Sequence, residues 1–532
     1  LVISSPSGEP ATEPATEPDT AAETGPATGP HAGPAALADP ATGHGRRRDL
    51  AAALGGVLLL VAAAVVGTAV QRADGSLHVD WPPLVGFWMP HAGPGTPAAL
   101  AVAVAVVVYG PGLAARMGWR QLLWASWGAA AAWTWSLALI DGWQRGVAER
   151  LTNRHEYLRV IDRFDDIGAA LRGYTGHILL DTPDNWPAHV AGHPPAAVLT
   201  FVGLDRVGLG GGGWAGAFCI TAGASAVAAV PVTLKALGSE RAARTAAPFL
   251  VLLPAAVWAG ASADGYFAAV AAWAVALLAL AATRSVRRSA PVALASGLLF
   301  GWTFYLSYGL TLMVIPAAAV LLLTRTARPL VPAFVGVAAV AGAFTAAGFN
   351  WWEAYDLLVE RYYQGVARER PYWYWIWANL ANAATAAGPA AVAGLCRAQA
   401  VAPRAVRDRW RARDGGGARV TAAVRGTVVM VTAVLLALLV ADLSGMSKAE
   451  TERIWLPFFV WLPAAAALLP AGDRRGWLAA QAAVALLGRR PAAVKLALPV
   501  AVGKRRSSRG ACGRAKPPGR ATLSLKSSKP GT

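Results

Sequence analysis

Three polar stretches, set between long apolar runs, hold the side chains that could act together. Residues 141–195 carry His155, Glu156, Asp162, Asp165, Asp166, His177, Asp181, Asp184, His189 and His193. A second stretch carries Glu353, Asp356, Glu360 and Arg361, and a third, SKAETER at 447–453, carries Lys448, Glu450, Glu452 and Arg453. These types divide the work of a transfer reaction. A carboxylate partly withdrawn from water is basic enough to take a proton from a hydroxyl. Lysine and arginine can hold a phosphate, arginine through two oxygens at once.

Each stretch also has a plainer reading. In DRFDDIGAALRGY, Asp162 and Asp166 stand four apart on one helix face with Asp165 beside them, a repulsion relieved only by a cation, a metal or a substrate. Acids at a helix start are favoured by the macrodipole in any case. In AGHPPAAVL, Pro194 and Pro195 stiffen a helix entry at no cost in hydrogen bonds, and His193 caps that helix or faces a ligand. It lacks the HxH or HxxxH spacing of a metal site. SKAETER as a mere connection would pair its charges with one another.

The sequence identifies no cofactor; a divalent metal drawn to the clustered carboxylates is the candidate left open. Cys219, Cys396 and Cys512 have neither metal nor redox spacing. No P-loop, GxGxxG, GxSxG or HExxH stands in a suitable context, which removes support for nucleotide chemistry.

The elements that must position these residues belong to a membrane. Of 532 residues, 55% are hydrophobic and 15% charged, against about 25% charged in soluble domains. Apolar runs of about 20 residues, enough to cross a hydrocarbon core, recur from residue 50 to residue 488. They predict an all-α polytopic bundle of about 12–13 spans, with an extracytoplasmic helical loop lying against the bilayer. Residues 1–45, rich in Pro, Thr, Ala and Glu, read as a disordered tail; 46–488 form the membrane domain, with its outer loop at 141–195. The net charge of +18 is concentrated in 489–532, which hold twelve Lys or Arg and no acid. That segment is either a disordered basic tail or the product of a shifted reading frame, and the charge points to no nucleic-acid partner.

Basic residues at alternate turns set the orientation. GRRR before the first span puts the N-terminus in the cytoplasm, and a span-length run without a cleavage site is not a secretory signal. The alternation holds for KALGSERAAR, RSVRR, RTAR, 397–425 and GDRRG only if AAVLTFVGL (196–204) lies along the membrane surface or dips in without crossing. SADG (262–265), 350–375 and SKAETER then lie outside, and PYWYWIWAN suits an interfacial belt. A transporter or lipid-carrier flippase is the competing class, and a non-catalytic membrane protein is the third reading. The former would show charges at mid-membrane and repeated halves, and neither is apparent.

The order of features resembles the GT-C membrane glycosyltransferases, in particular the lipid A aminoarabinose transferase and protein O-mannosyltransferase group and actinobacterial integral membrane proteins with HPP and ERIWLPF. The matching residues are Arg163-Phe164-Asp165-Asp166-Ile167, His193-Pro194-Pro195 and Glu452-Arg453-Ile454-Trp455-Leu456-Pro457-Phe458, within roughly residues 120–488. The resemblance implies a multi-pass cell-membrane enzyme that moves a sugar from a polyprenyl-phosphate carrier to an acceptor hydroxyl on the outer face, inverting it, with membrane lipid around it. It implies Asp165 or Asp166 as base, with Asp162 or Glu156 as substitutes. Lys448, Arg453 and Arg361 would contact phosphate, and His193, Glu353 and Glu452 complete the substrate-binding set. Two departures stand out: no Asp-Glu pair opens the first loop, and two additional spans precede it.

Overall fold

The computed structural model describes residues 43–85, 91–410 and 422–488. The two tail readings fall outside these, apart from the last three residues of the first, which already begin a helix. Every named element among the described residues is helical. The elements used below are α1 (Gly43–Ala73), α2 (Thr96–Arg116), α3 (Trp119–Ile140), α4 (Ala196–Arg206), α5 (Gly212–Gly223), α6 (Ala226–Ala236), α7 (Ala263–Ala282), α8 (Ser289–Leu306), α9 (Leu330–Ala346), α10 (Trp351–Gln364), α11 (Tyr372–Ala387) and α12 (Ala422–Leu443).

Among the described residues, six helices are long and apolar enough to cross a membrane: α1 from Gly45, α2, α5 with α6, α7, α8 and α12 from Val424. A seventh is counted if α9 and α10, bent by 77° at their junction, form one span. The 12–13 apolar stretches of the sequence thus become six or seven membrane-length helices plus shorter or less apolar ones, such as Tyr308–Thr324 and Leu456–Leu468. The outermost helices show what solvent they are built for. In α1, Leu54, Leu58, Val61 and Val65 are exposed, an apolar surface that only lipid covers at low cost.

Inside, small residues bring backbones together. Almost every alanine of α7 is buried. At Gly297 and Gly301, a GxxxG pair on α8, an added Cβ would collide with the Ala333 carbonyl and with Val340 of α9. In lipid, where apolar burial between helices gives little driving force, such close approach supplies the packing energy. α4, with 11 residues, rises about 16 Å and is too short to cross; its Ala197, Val198 and Phe201 are buried in protein.

The stretch 141–195 folds as a compact cap over one end of the bundle. Its core is aromatic: Phe164, Tyr174 and Trp186 are buried, with Trp186 stacked on Phe164 and tilted against Tyr174. Tyr174 donates its hydroxyl to the Val190 and His193 carbonyls at 2.8 and 3.0 Å, and Trp186 Nε1 donates to the Tyr174 carbonyl at 2.9 Å. Arg206, at the end of α4, donates to the Phe164 and Asp165 carbonyls, which ties the cap to the bundle. Another polar group lies where α6 ends: Lys235 and Arg244 bind Glu240 at 2.9 and 2.7 Å, and Arg244 also caps the end of α2 at the Ala114 and Met117 carbonyls.

Candidate functional site

The site begins with the turn before Arg453. Ala449 and Glu450 are consecutive non-glycine residues in the left-handed region, at φ +80° and +60°. Such a pair persists only where its surroundings impose it. Here they are visible: Asn379 Nδ2 donates to the Ser447 carbonyl at 2.6 Å, and Arg370 donates to the Lys448 carbonyl at 2.8 Å. The short helix Thr451–Ile454 then aims Arg453 toward the start of α7.

Arg453 is the hub. Its Nη1 donates to Asp264 Oδ2 at 2.8 Å, and its Nη2 donates to Glu450 Oε2 at 3.1 Å and to His189 Nε2 at 3.2 Å. Asp264 is buried in the first turn of α7, where the Ser262 hydroxyl donates to it. Because arginine only donates, His189 must accept through Nε2, so its proton resides on Nδ1. That nitrogen faces Glu156 Oε2 at 3.0 Å. A carboxylate from the cap and a cation from the last polar stretch therefore meet on the two nitrogens of one imidazole.

The electrostatics follow from this geometry. Burial pushes Glu156 up, but His189, Arg453 and Arg150 outweigh it and hold the carboxyl below its ordinary value. Glu450 behaves likewise: burial raises it, and the charges of Arg453 and Arg370 bring it below its usual value. Burial opposes the charge on Arg453, yet Asp264, Glu450 and Glu156 raise it further above its usual value. His193 donates Nδ1–H to the His189 carbonyl at 2.7 Å and lies 3.1 Å from the Tyr157 hydroxyl. Burial takes its pKa down to about 4, so it is neutral at physiological pH.

The other residues singled out in the sequence lie elsewhere. Asp166 is the N-cap of Ile167–Arg172, accepting the Ala169 N–H at 2.9 Å; Asp162 and Asp165 are exposed. None of the three is hydrogen-bonded to the Arg453 cluster among the described residues. Glu452 turns inward, accepting the Val85 N–H at 2.9 Å and Asn382 Nδ2 at 3.4 Å. Lys448 Nζ donates to the Ala367 carbonyl at 3.0 Å, and Arg361 donates to the Trp186 carbonyl at 3.2 Å. Glu353 is exposed on the first turn of α10. Among the described residues no three His, Cys, Asp or Glu side chains converge as a metal site requires.

Asp264, which Arg453 binds, stands in the sequence only as the acid of the outer SADG segment, and Asn379, which braces the turn before Arg453, has no signal there.

A cavity of about 770 Å³ lies apart from the cluster, between α3, α5, α6 and α7, and none of the cluster residues lines it. Phe218 on its wall leads toward them through Tyr266, Phe267 and His193, with ring centroids 5.0, 5.9 and 5.7 Å apart. No family model matches this chain, and no curated protein matches it significantly.

Proposed function

We propose that the protein is an integral membrane glycosyltransferase that moves a sugar from a polyprenyl-phosphate carrier to an acceptor hydroxyl on the extracytoplasmic face, with inversion. The observation that carries this reading is the Glu156–His189–Arg453 chain, because it links a carboxylate and a fixed cation through one imidazole at one end of a lipid-embedded bundle. Glu156 takes the proton of the acceptor O–H. The freed oxygen pair attacks the anomeric carbon from the side opposite the phosphate. The bond from that carbon to the phosphate oxygen breaks, and the electron pair leaves on polyprenyl phosphate, whose growing charge Arg453 offsets. A fixed cation in a site of low dielectric can contribute several kcal/mol to such a departure. His189 holds the two groups in register. The resemblance to GT-C enzymes supports the same roles, with Glu156 in place of Asp165 or Asp166 as the base. A transporter has less support, since the buried charges gather at helix ends.

The test uses membranes supplied with polyprenyl-phosphate mannose or polyprenyl-phosphate aminoarabinose. Glu156→Gln is expected to lower transfer by about 10²–10⁴-fold, the usual contribution of a general base. Asp165→Asn with Asp166→Asn is expected to leave transfer within a few-fold of the parent. The reverse pattern would return the base to those aspartates; no transfer by the parent protein from either donor would remove the reading.

A further inference from the structure

The cavity beside α3 has a composition that the transfer reaction does not use. Four tryptophans, Trp124, Trp127, Trp214 and Trp273, wall it together with Phe218 and leucines. Two of the indole N–H groups are spent within the protein: Trp127 donates to the Thr221 carbonyl at 2.9 Å and Trp273 to the Ser225 hydroxyl at 3.1 Å. The Thr221 hydroxyl is likewise taken by Trp135 Nε1 at 3.2 Å. The walls therefore offer ring faces and methyl groups. Trp124 and Trp214 are themselves exposed, so the cavity opens sideways, where the neighbouring helices present apolar surface.

Its one charged lining residue among the described residues is Arg120, exposed in the first turn of α3. That turn marks the end of the bundle away from the cap. Its neighbour Trp119 stacks under Lys235 Nζ at 4.3 Å and lies 5.8 Å from the Arg244 guanidinium, both of the polar group where α6 ends. α5, by contrast, starts against the cap, with Gly212 packed on the Ala148 backbone. The cavity thus runs from near the cap, at Leu204 and Trp214, down to one cation at the opposite interface. Its volume lies within the range of sites that enclose a whole small ligand.

We propose that this cavity binds an anionic phospholipid from the leaflet opposite the Arg453 cluster, with an acyl chain among the tryptophans and the phosphate on Arg120. Charge complementarity selects the headgroup: zwitterionic lipids would gain the same apolar contact but add an ammonium beside Arg120. The polarity of the groove sets the leaflet, since its cation and the Arg453 cluster lie at opposite ends of the bundle. This inference stands without the glycosyl-transfer reading.

Native mass spectrometry of the full-length protein, given equal amounts of phosphatidylglycerol and phosphatidylcholine with matched chains, tests it. The parent should retain phosphatidylglycerol by about five-fold, the preference one interfacial arginine confers. Arg120→Gln, a change on an exposed side chain, should bring the ratio to about one. Ala217→Trp, which fills the cavity from its wall, should reduce retention of both lipids, with its far-ultraviolet circular dichroism matching the parent to show that it folds. Equal retention by parent and both variants would overturn the proposal. So would preferential retention of added polyprenyl phosphate over phosphatidylglycerol by the parent, lost in Ala217→Trp, because the cavity would then hold the isoprenoid tail of a sugar carrier.

Discussion

Replacing Arg453 with glutamine removes the cation on which three acceptors converge, and the cost can be worked from their surroundings. The Asp264 side chain is 5% exposed, so its carboxylate would lose its ion pair where water cannot replace it. Breaking a buried pair from one side costs about 3–5 kcal/mol. Glu450, 43% exposed at its side chain, adds no more than about 1 kcal/mol. Asp264→Asn alone is milder, about 1–3 kcal/mol, because Arg453 keeps Glu450 and is itself 22% exposed. The double variant Arg453→Gln with Asp264→Asn leaves no buried unpaired charge. It should therefore cost less than the two single changes together, with a coupling of about 2 kcal/mol or more, inside the span measured for residues in contact. Unfolding by dodecyl sulfate in mixed micelles, followed by circular dichroism, reads all four corners of the cycle. A coupling within about 0.5 kcal/mol of zero, the scatter of independent sites, would refute the claim that Asp264 is held by Arg453.

Glu452→Gln should cost about 1–3 kcal/mol in the same titration, because Glu452 is 2% exposed and satisfies the Val85 N–H and Asn382; unchanged stability with weakened donor binding would make it a ligand contact instead. His193 has a folded pKa of about 4 against 6.5 unfolded, so between those values the unfolded chain binds more protons. Stability should therefore fall as pH drops from about 6.5 to 4, by up to roughly 3 kcal/mol. His193→Gln should flatten that slope, and an unchanged slope would assign it to other groups. Gly297→Ala should destabilise by about 1–3 kcal/mol through overpacking, since its Cβ meets the Ala333 carbonyl on α9; a neutral result would mean that α8 and α9 can separate freely.

Much of this architecture is legible in the chain, because apolar run length answers directly to bilayer thickness and needs no tertiary information. The short α4 is an example: the alternation of basic loops excluded a crossing at 196–204, and the helix is 11 residues long. The number of membrane-length helices was less legible. Prolines inside apolar stretches, such as Pro463 within Leu456–Leu468, break runs that composition alone treats as continuous.

Residue type and the three polar stretches, set by composition and charge order alone, already contained Glu156, His189 and Arg453. Which carboxylate faces the cation was decided only by the fold. In the sequence the Asp162–Asp166 cluster stands out by density, yet Asp166 caps a helix while Asp162 and Asp165 face outward. His189 and Asp264 reach Arg453 because the cap and the first turn of α7 carry them there, across 264 and 189 residues, and Glu156 joins them through His189. Spacing along a chain reports who shares a helix face; it cannot report which distant turns a packed core brings within 3 Å.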